Sequence, residues 1–193
     1  MTVNARTIAL IKEFEGFRAE AYRDIAGVWT IGYGTTAAAG VGIAPKAGMK
    51  ITEADATMYL RRAIDAFATK ISFGITAPIN ENEFGAFVSL AYNIGTTAFL
   101  KSSALKHFNA GNKAQAANAM LLWNKATVKG KLTPVAGLTR RREAEKALFL
   151  SPVTEFAPPV RPDVEPVAPQ PAAVWWWAEF WKIVDQFTKK WRT

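Results

Sequence analysis

The sequence predicts an α+β fold, mainly helical, in one domain followed by an appended tail. Three observations carry that reading. Apolar residues recur at helical spacing in several segments that open on capping residues. The Gly-rich stretch from Gly27 to Gly42 holds β-prone side chains near the N-terminus. Seven of the ten prolines fall between residues 152 and 171, closing the domain near residue 151. At roughly 150 residues per domain, 193 residues leave no room for two full ones.

The elements follow in order. Ile8, Ile11 and Phe14 behind a possible Asn4 cap predict a first helix over about residues 4–14. Val28, Trp29, Ile31 and Tyr33 among glycines predict a small twisted hairpin, with Trp29 and Tyr33 as candidates for the core. Thr52 and Asp55 resemble a capping box, and Leu60, Ile64, Phe67 and Ile71 follow at helical spacing, which predicts a long helix over about 52–72. Asn80 and Glu83 open another helix, ended near Gly95. Asn112 and Gln115 are read in the same way for one reaching about Trp123. Pro134 precedes a last helix whose Leu138, Ala144, Leu148 and Phe149 are expected to face inward. No internal repeat is visible.

Composition removes whole classes of chemistry. The chain is half hydrophobic and 21% charged, as a packed globular protein is. With no cysteine, disulfides, thiolate metal sites and thiol nucleophiles are excluded together. The single histidine, His107, is read as a surface residue and argues against His-rich metal sites and a Ser-His-Asp hydrolase. No nucleotide fingerprint or metal-ligand set is present, so no cofactor and no metal are expected. A formal charge of +8 draws the chain to polyanions. The N-terminus lacks the apolar run of a signal peptide, and no stretch of about 18 apolar residues could span a membrane. Synthesis in the cytoplasm is therefore expected.

What chemistry remains must run on carboxylates, hydroxyls and bases. The informative window is EGFRAEAYRD, residues 15–24, continuing into GVWTIGYG at 27–34. A carboxylate, Glu15, lies at a helix end, a second, Asp24, lies nine positions on, and the Thr30 hydroxyl follows in a Gly-rich turn. Glycosidic bond cleavage needs such an inventory on separate segments, with the sugar between an acid and a carboxylate that orients water. Glycines let the backbone approach the sugar closely. Spacing alone does not establish catalysis, since two acids nine apart are common; Glu13 and Glu20 are read as solvated.

The pattern of Glu15, Asp24 and Thr30 within EGFRAEAYRDIAGVWTIGYG resembles the phage-type lysozymes of glycoside hydrolase family 24. AYNIG at 91–95 and GLTRRREAEKALF at 137–149 match later blocks, so that the resemblance covers about residues 5–150. It implies a two-lobed lysozyme-like fold: a small N-terminal β-hairpin lobe, a long connecting helix and a helical C-terminal lobe, with a saccharide cleft between. It also implies hydrolysis, with inversion, between N-acetylmuramic acid and N-acetylglucosamine in peptidoglycan. Glu15 would then be the general acid, Asp24 would stabilise positive charge and orient water, and Thr30 would hold that water. Arg141 of the 140–142 cluster could pair with Glu15; a solvated face that binds anionic wall is the other reading of the cluster. Many relatives carry a histidine after the Gly-x-Gly of the hairpin, where this chain has Gly34-Thr35-Thr36. That departure bears on stability more than on catalysis.

Residues 1–151 carry 19 basic and 11 acidic side chains, so the body is basic on its own account. Residues 152–171 form a Pro-rich linker of semi-rigid, extended character. Five of the seven tryptophans fall in residues 172–193, AAVWWWAEFWKIVDQFTKKWRT. Wound as a helix, Trp176, Phe180, Ile183, Val184, Phe187 and Trp191 share one face, which Trp177 and Trp181 widen, with lysines opposite. Such a cationic amphipathic helix suits a membrane interface; docking on the body or self-association would bury the same stripe. The expected partners are peptidoglycan and, through the tail, anionic bacterial membrane, with no nucleic acid and with the chain acting as a monomer. A non-enzymatic wall-binding antibacterial protein and a lytic transglycosylase are the competing readings.

Overall fold

In a computed structural model of the chain, residues 2–24, 26–128 and 130–153 are described. The linker from residue 154 and the tail face of Trp176, Trp177, Phe180, Trp181, Ile183, Val184, Phe187 and Trp191 lie outside the described residues.

Helix α1 (Ala5–Glu15) starts where expected, because the Asn4 side chain accepts from the Thr7 amide at 3.0 Å. Gly16, at φ 68°, ends it by donating to the Lys12 carbonyl. Strands β1 (Arg18–Arg23), β2 (Trp29–Gly32) and β3 (Thr35–Thr36) then form one antiparallel sheet in that order. The hairpin is thus larger than the sequence suggested, taking in the segment between Glu15 and Asp24. Tyr22 stands opposite Thr30, and Thr30 opposite Thr36. Residues 49–51 return along the free edge of β1, with Ala21 donating to Met49 and Ile51 to Ala19.

Helix α2 (Glu53–Ser72) follows with both halves of the Thr52–Asp55 capping box present. Its start packs on β2 and β3 and its end on the C-terminal helices, so it connects the two lobes. Ala56, Leu60, Ile64, Ala68 and Ile71 are its buried stripe, with Phe67 at the margin against the Tyr92 ring. A clamp ties α1 to this connector. Glu53 Oε1 takes the Lys12 ammonium at 2.8 Å and the Tyr33 hydroxyl at 2.7 Å, which holds the end of α1 against the sheet.

Helix α3 (Glu81–Ile94) has the Asn80–Glu83 capping box and ends at Gly95. Residues 82–91 are buried without a break, so this is the central helix of the C-terminal lobe. Around it lie α4 (Thr96–Leu100), α5 (Ser103–Asn109), α6 (Lys113–Met120) and α7 (Ala136–Leu150). Phe87 is the hub of this core, with the Phe99, Phe108 and Phe149 rings 5.1, 5.2 and 5.1 Å away. Asn82 staples the chain ends of the lobe: its amide accepts from Asn4 and donates to Ser151 and Pro152.

α1 crosses α3 closely because position 85 has no side chain. A Cβ at Gly85 would overlap the Thr7 hydroxyl, which is held by Asn4 and sits on a stiff β-branched residue. Gly85→Ala is therefore expected to cost about 2 kcal/mol through overpacking despite a better helix propensity. Thermal unfolding should show a melting temperature several degrees lower; an unchanged value would mean the two helices separate freely.

Four expectations are corrected. Asn112 does not cap α6: at ψ 67° its side chain makes no cap bond, and its amide is tied back to the His107 carbonyl. That helix stops at Met120, and a 3-10 turn carries Leu121–Trp123. Strands are not confined to the N-terminal lobe, since β4 (Lys125–Val128) and β5 (Lys131–Pro134) pair antiparallel. Every β5 residue is exposed, so no alternating pattern announced it. Finally, α7 turns Arg141, Arg142 and Glu145 fully inward, while Ala144 and Leu148 are only partly covered.

Candidate active site

The site lies where α1 ends, the sheet turns and α7 begins. Glu15 is the last residue of α1 and is 9% exposed. Its Oε1 accepts from Arg141 Nη1 at 3.0 Å, a buried pair joining residues 126 apart in sequence. Its Oε2 faces Gly34, where a Cβ would stand 3.9 Å away. Gly34 adopts φ 81°, which an L side chain rarely tolerates, so the turn keeps that approach to the carboxylate open. Phe14 supports the pair from behind, with the Arg140 and Arg141 guanidinium groups 5.5 and 5.6 Å from its ring centre.

Burial governs the chemistry of Glu15. Loss of solvent raises its pKa above the ordinary 4.5; Arg141 opposes that shift by its charge and hydrogen bond, and Glu145 adds to it. For Arg141, burial works against the charge, but Glu15 and Glu145 outweigh it and hold the guanidinium above its usual pKa. Tyr22 from β1 and Tyr92 from α3 also sense the Glu15 charge; desolvation is the main reason that both phenols are raised.

Asp24 and Thr30 come from the turn between β1 and β2 and from β2 itself. Asp24 Oδ1 accepts from the Ala26 and Val28 amides at 2.9 and 2.8 Å, an Asx-type turn that presents Oδ2 outside these bonds. Val28 is tied a second time, its carbonyl accepting from the Asp24 amide at 2.9 Å. Thr30 is 4% exposed and donates its hydroxyl to the Val28 carbonyl at 3.2 Å, which leaves its oxygen lone pairs to accept. Tyr22 bridges the two parts: it is Thr30's partner across the sheet, and both Asp24 and Glu15 act on its hydroxyl.

The structure thus pairs Glu15 with Arg141, and Tyr22, opposite Thr30 in the sheet, senses the charges of both Glu15 and Asp24. Glu13 and Glu20 are exposed, the latter 3.5 Å from Lys50. Of the arginine cluster, only Arg140 is exposed. Thr35, which follows Gly34 in the turn, is buried and pairs with Ile31. Sequence reasoning missed Glu145, Arg142 and Ser89 behind Arg141, and Tyr22 and Tyr92 beside Glu15. The first two could have been found from helical spacing, since Glu145 lies three and four residues beyond the two arginines. Among the described residues no group of three or more acidic or histidine side chains could hold a metal, and no helix is long and apolar enough to cross a membrane.

Comparison with known proteins agrees with this fold. The family model described as phage lysozyme matches residues 12–145. An endolysin of Acyrthosiphon pisum secondary endosymbiont phage 1 is 40% identical over 151 residues, 78% of this chain and 99% of the relative. Among solved structures, an endolysin from Escherichia coli O157:H7 phage FAHEc1 superposes with a TM-score of 0.70 at 44% identity, covering 78% of this chain and 94% of that one. The muramidase domain of SpmX from Asticaccaulis excentricus superposes with a TM-score of 0.71 at 36% identity over 78% and 99% of the two chains. With a matching model over most of its length and relatives of this identity, the chain belongs to the phage lysozyme family.

Proposed function

We propose that Glu15, Arg141, Asp24 and Thr30 are the working groups of a peptidoglycan-cleaving lysozyme of the endolysin type, and that the tail brings it to membrane. The enzyme hydrolyses the glycan of the bacterial wall. The observation that carries the assignment is the buried carboxyl of Glu15, whose surroundings favour its protonated form while Arg141 fixes its rotamer. A proton held near neutral pH is what a general acid needs to release a sugar oxygen.

Glu15 gives its proton to the bridging oxygen between N-acetylmuramic acid and N-acetylglucosamine as the bond to the anomeric carbon breaks. Positive charge develops on that ring, and Asp24 stabilises it. A water donates one hydrogen to Asp24 Oδ2 and a second to the Thr30 oxygen, whose own hydrogen is committed to Val28. Attack by that water from the face opposite the leaving group, with its proton passing to the Asp24 carboxylate as the new C–O bond forms, inverts the anomeric centre. Digested, purified peptidoglycan should therefore carry new reducing muramic ends of inverted configuration. Anhydro-muramic ends would overturn the reading in favour of a transglycosylase. Asp24→Ala and Thr30→Ala should each lower the rate at least 100-fold with little change in saccharide affinity, measured by initial rates and by binding to the inactive proteins.

The tail reading rests on composition: five tryptophans and a cationic face in residues 172–193 suit an anionic lipid interface. Deleting residues 152–193 should leave hydrolysis of membrane-free peptidoglycan unchanged and sharply reduce binding to vesicles rich in phosphatidylglycerol. Phe180→Glu with Phe187→Glu should mimic the deletion, because each carboxylate would have to enter the interface. Unfolding of the body on truncation would instead make the tryptophan face structural.

A further inference from the structure

Arg141 does not face Glu15 alone. On α7, Glu145 lies three residues beyond Arg142 and four beyond Arg141, so helical spacing puts all three on one inward face. Glu145 is fully buried, and its Oε1 collects three donors: Ser89 Oγ at 2.7 Å, Arg142 Nη2 at 2.7 Å and Arg141 Nε at 3.2 Å. Arg141 thus spans two carboxylates, with Nη1 on Glu15 and Nε on Glu145. Arg141 Nη2, Arg142 Nε and Nη1, and Glu145 Oε2 are buried without a hydrogen-bond partner among the described residues.

Charge balance gives Glu145 a task beyond packing. With Glu15 ionised, two carboxylates face two guanidinium groups. With Glu15 protonated, one positive charge is in excess, and without Glu145 the excess would be two. Two unopposed buried guanidinium groups would strip the proton from Glu15. Burial pulls Arg142 down to about 10; Glu145 opposes that shift and the Arg141 charge adds to it. The titratable and charged groups facing Glu15 are Arg141 and Glu145 from α7, Tyr22 from β1 and Tyr92 from α3. Those facing Glu145 are Arg141 and Arg142 from α7 and Glu15 from α1, with the Ser89 hydroxyl from α3.

We propose that Glu145 is a positioning residue: it holds the Nε edge of Arg141, draws that charge away from Glu15, and so lets the Glu15 carboxyl keep its proton. The effect on catalysis rests on Glu15 being the general acid; the effect on the Glu15 proton does not.

Two readouts on the full chain separate these statements. The first is the titration of Glu15, followed by carbon-13 NMR of its carboxyl. The second is the alkaline limb of the pH profile for lysis of purified peptidoglycan. Glu145→Gln should lower both midpoints by about one pH unit or more. Glu145→Asp keeps the charge and should return both toward wild type. A Glu15 midpoint unmoved in Glu145→Gln would overturn the inference, whatever the variant does to stability. A midpoint that falls while the limb stays put would uphold the inference and remove Glu15 as the acid. Should Glu145→Gln not fold, Ser89→Ala decides: with one neutral donor gone, Glu145 leans harder on Arg141, and the Glu15 midpoint should rise by about a few tenths of a unit. An unchanged or lower midpoint in that variant would overturn the proposal.

Discussion

Glu15→Gln is expected to abolish wall lysis while leaving the protein folded. Removing a general acid costs typically about 10²–10⁴-fold in rate, and more where the groups act as a unit. Gln keeps the shape and can still accept from Arg141, but it has no proton to give the leaving oxygen. Glu13→Gln and Glu20→Gln are the controls, since both side chains are exposed. Turbidity clearing of purified peptidoglycan measures all three, and residual activity above a tenth of wild type would remove Glu15 from its role.

The same variant has a signature in stability. Burial raises the Glu15 pKa in the folded state above its ordinary value near 4.5. Between those two values the native chain binds more protons than the unfolded chain, so wild-type stability falls as pH rises through the window. Gln resembles the protonated acid and cannot titrate. The melting temperature of Glu15→Gln should therefore lack this fall, and the gap between the variants should widen from acid toward neutral pH. Parallel curves would mean that Glu15 has the same pKa folded and unfolded.

Phe87→Ala is expected to be among the most damaging single changes to stability. The side chain is fully buried and touches the Phe99, Phe108 and Phe149 rings, so α4, α5 and α7 all meet at it. Truncation loses transfer free energy and leaves a cavity that three aromatic walls cannot close, a cost of about 3–5 kcal/mol. That is a large share of the roughly 5–15 kcal/mol that holds a protein of this kind together. Urea unfolding should show a much lower midpoint with the slope little changed. Since Phe87 stands behind the pairing of α3 with α7, part of the loss should also reach Arg141 and the rate. A midpoint within experimental error of wild type would mean the ring cluster repacks.

Local signals were sufficient for much of the fold. Asn4, the Thr52–Asp55 and Asn80–Glu83 boxes, and the apolar stripe of α2 placed three helices, because a cap and a 3.6-residue period are properties of neighbouring residues. The run EGFRAEAYRD with Thr30 singled out the carboxylates, since their residue types and order are written in the chain. Tertiary structure alone decided the rest. Asn112 has a capping side chain and a suitable partner three residues on, yet the turn out of α5 ties its backbone elsewhere. The strands of the β4–β5 hairpin are four residues each, too short to show a period, and β5 is exposed throughout. α4 and α5 are too short to show a period, and their places are set by packing around Phe87. The inward turn of Arg141, Arg142 and Glu145 is the clearest case. Charged residues on a helix ordinarily face water, and only the arrival of Glu15 from α1 and Ser89 from α3 supplies the partners that make burying them tolerable.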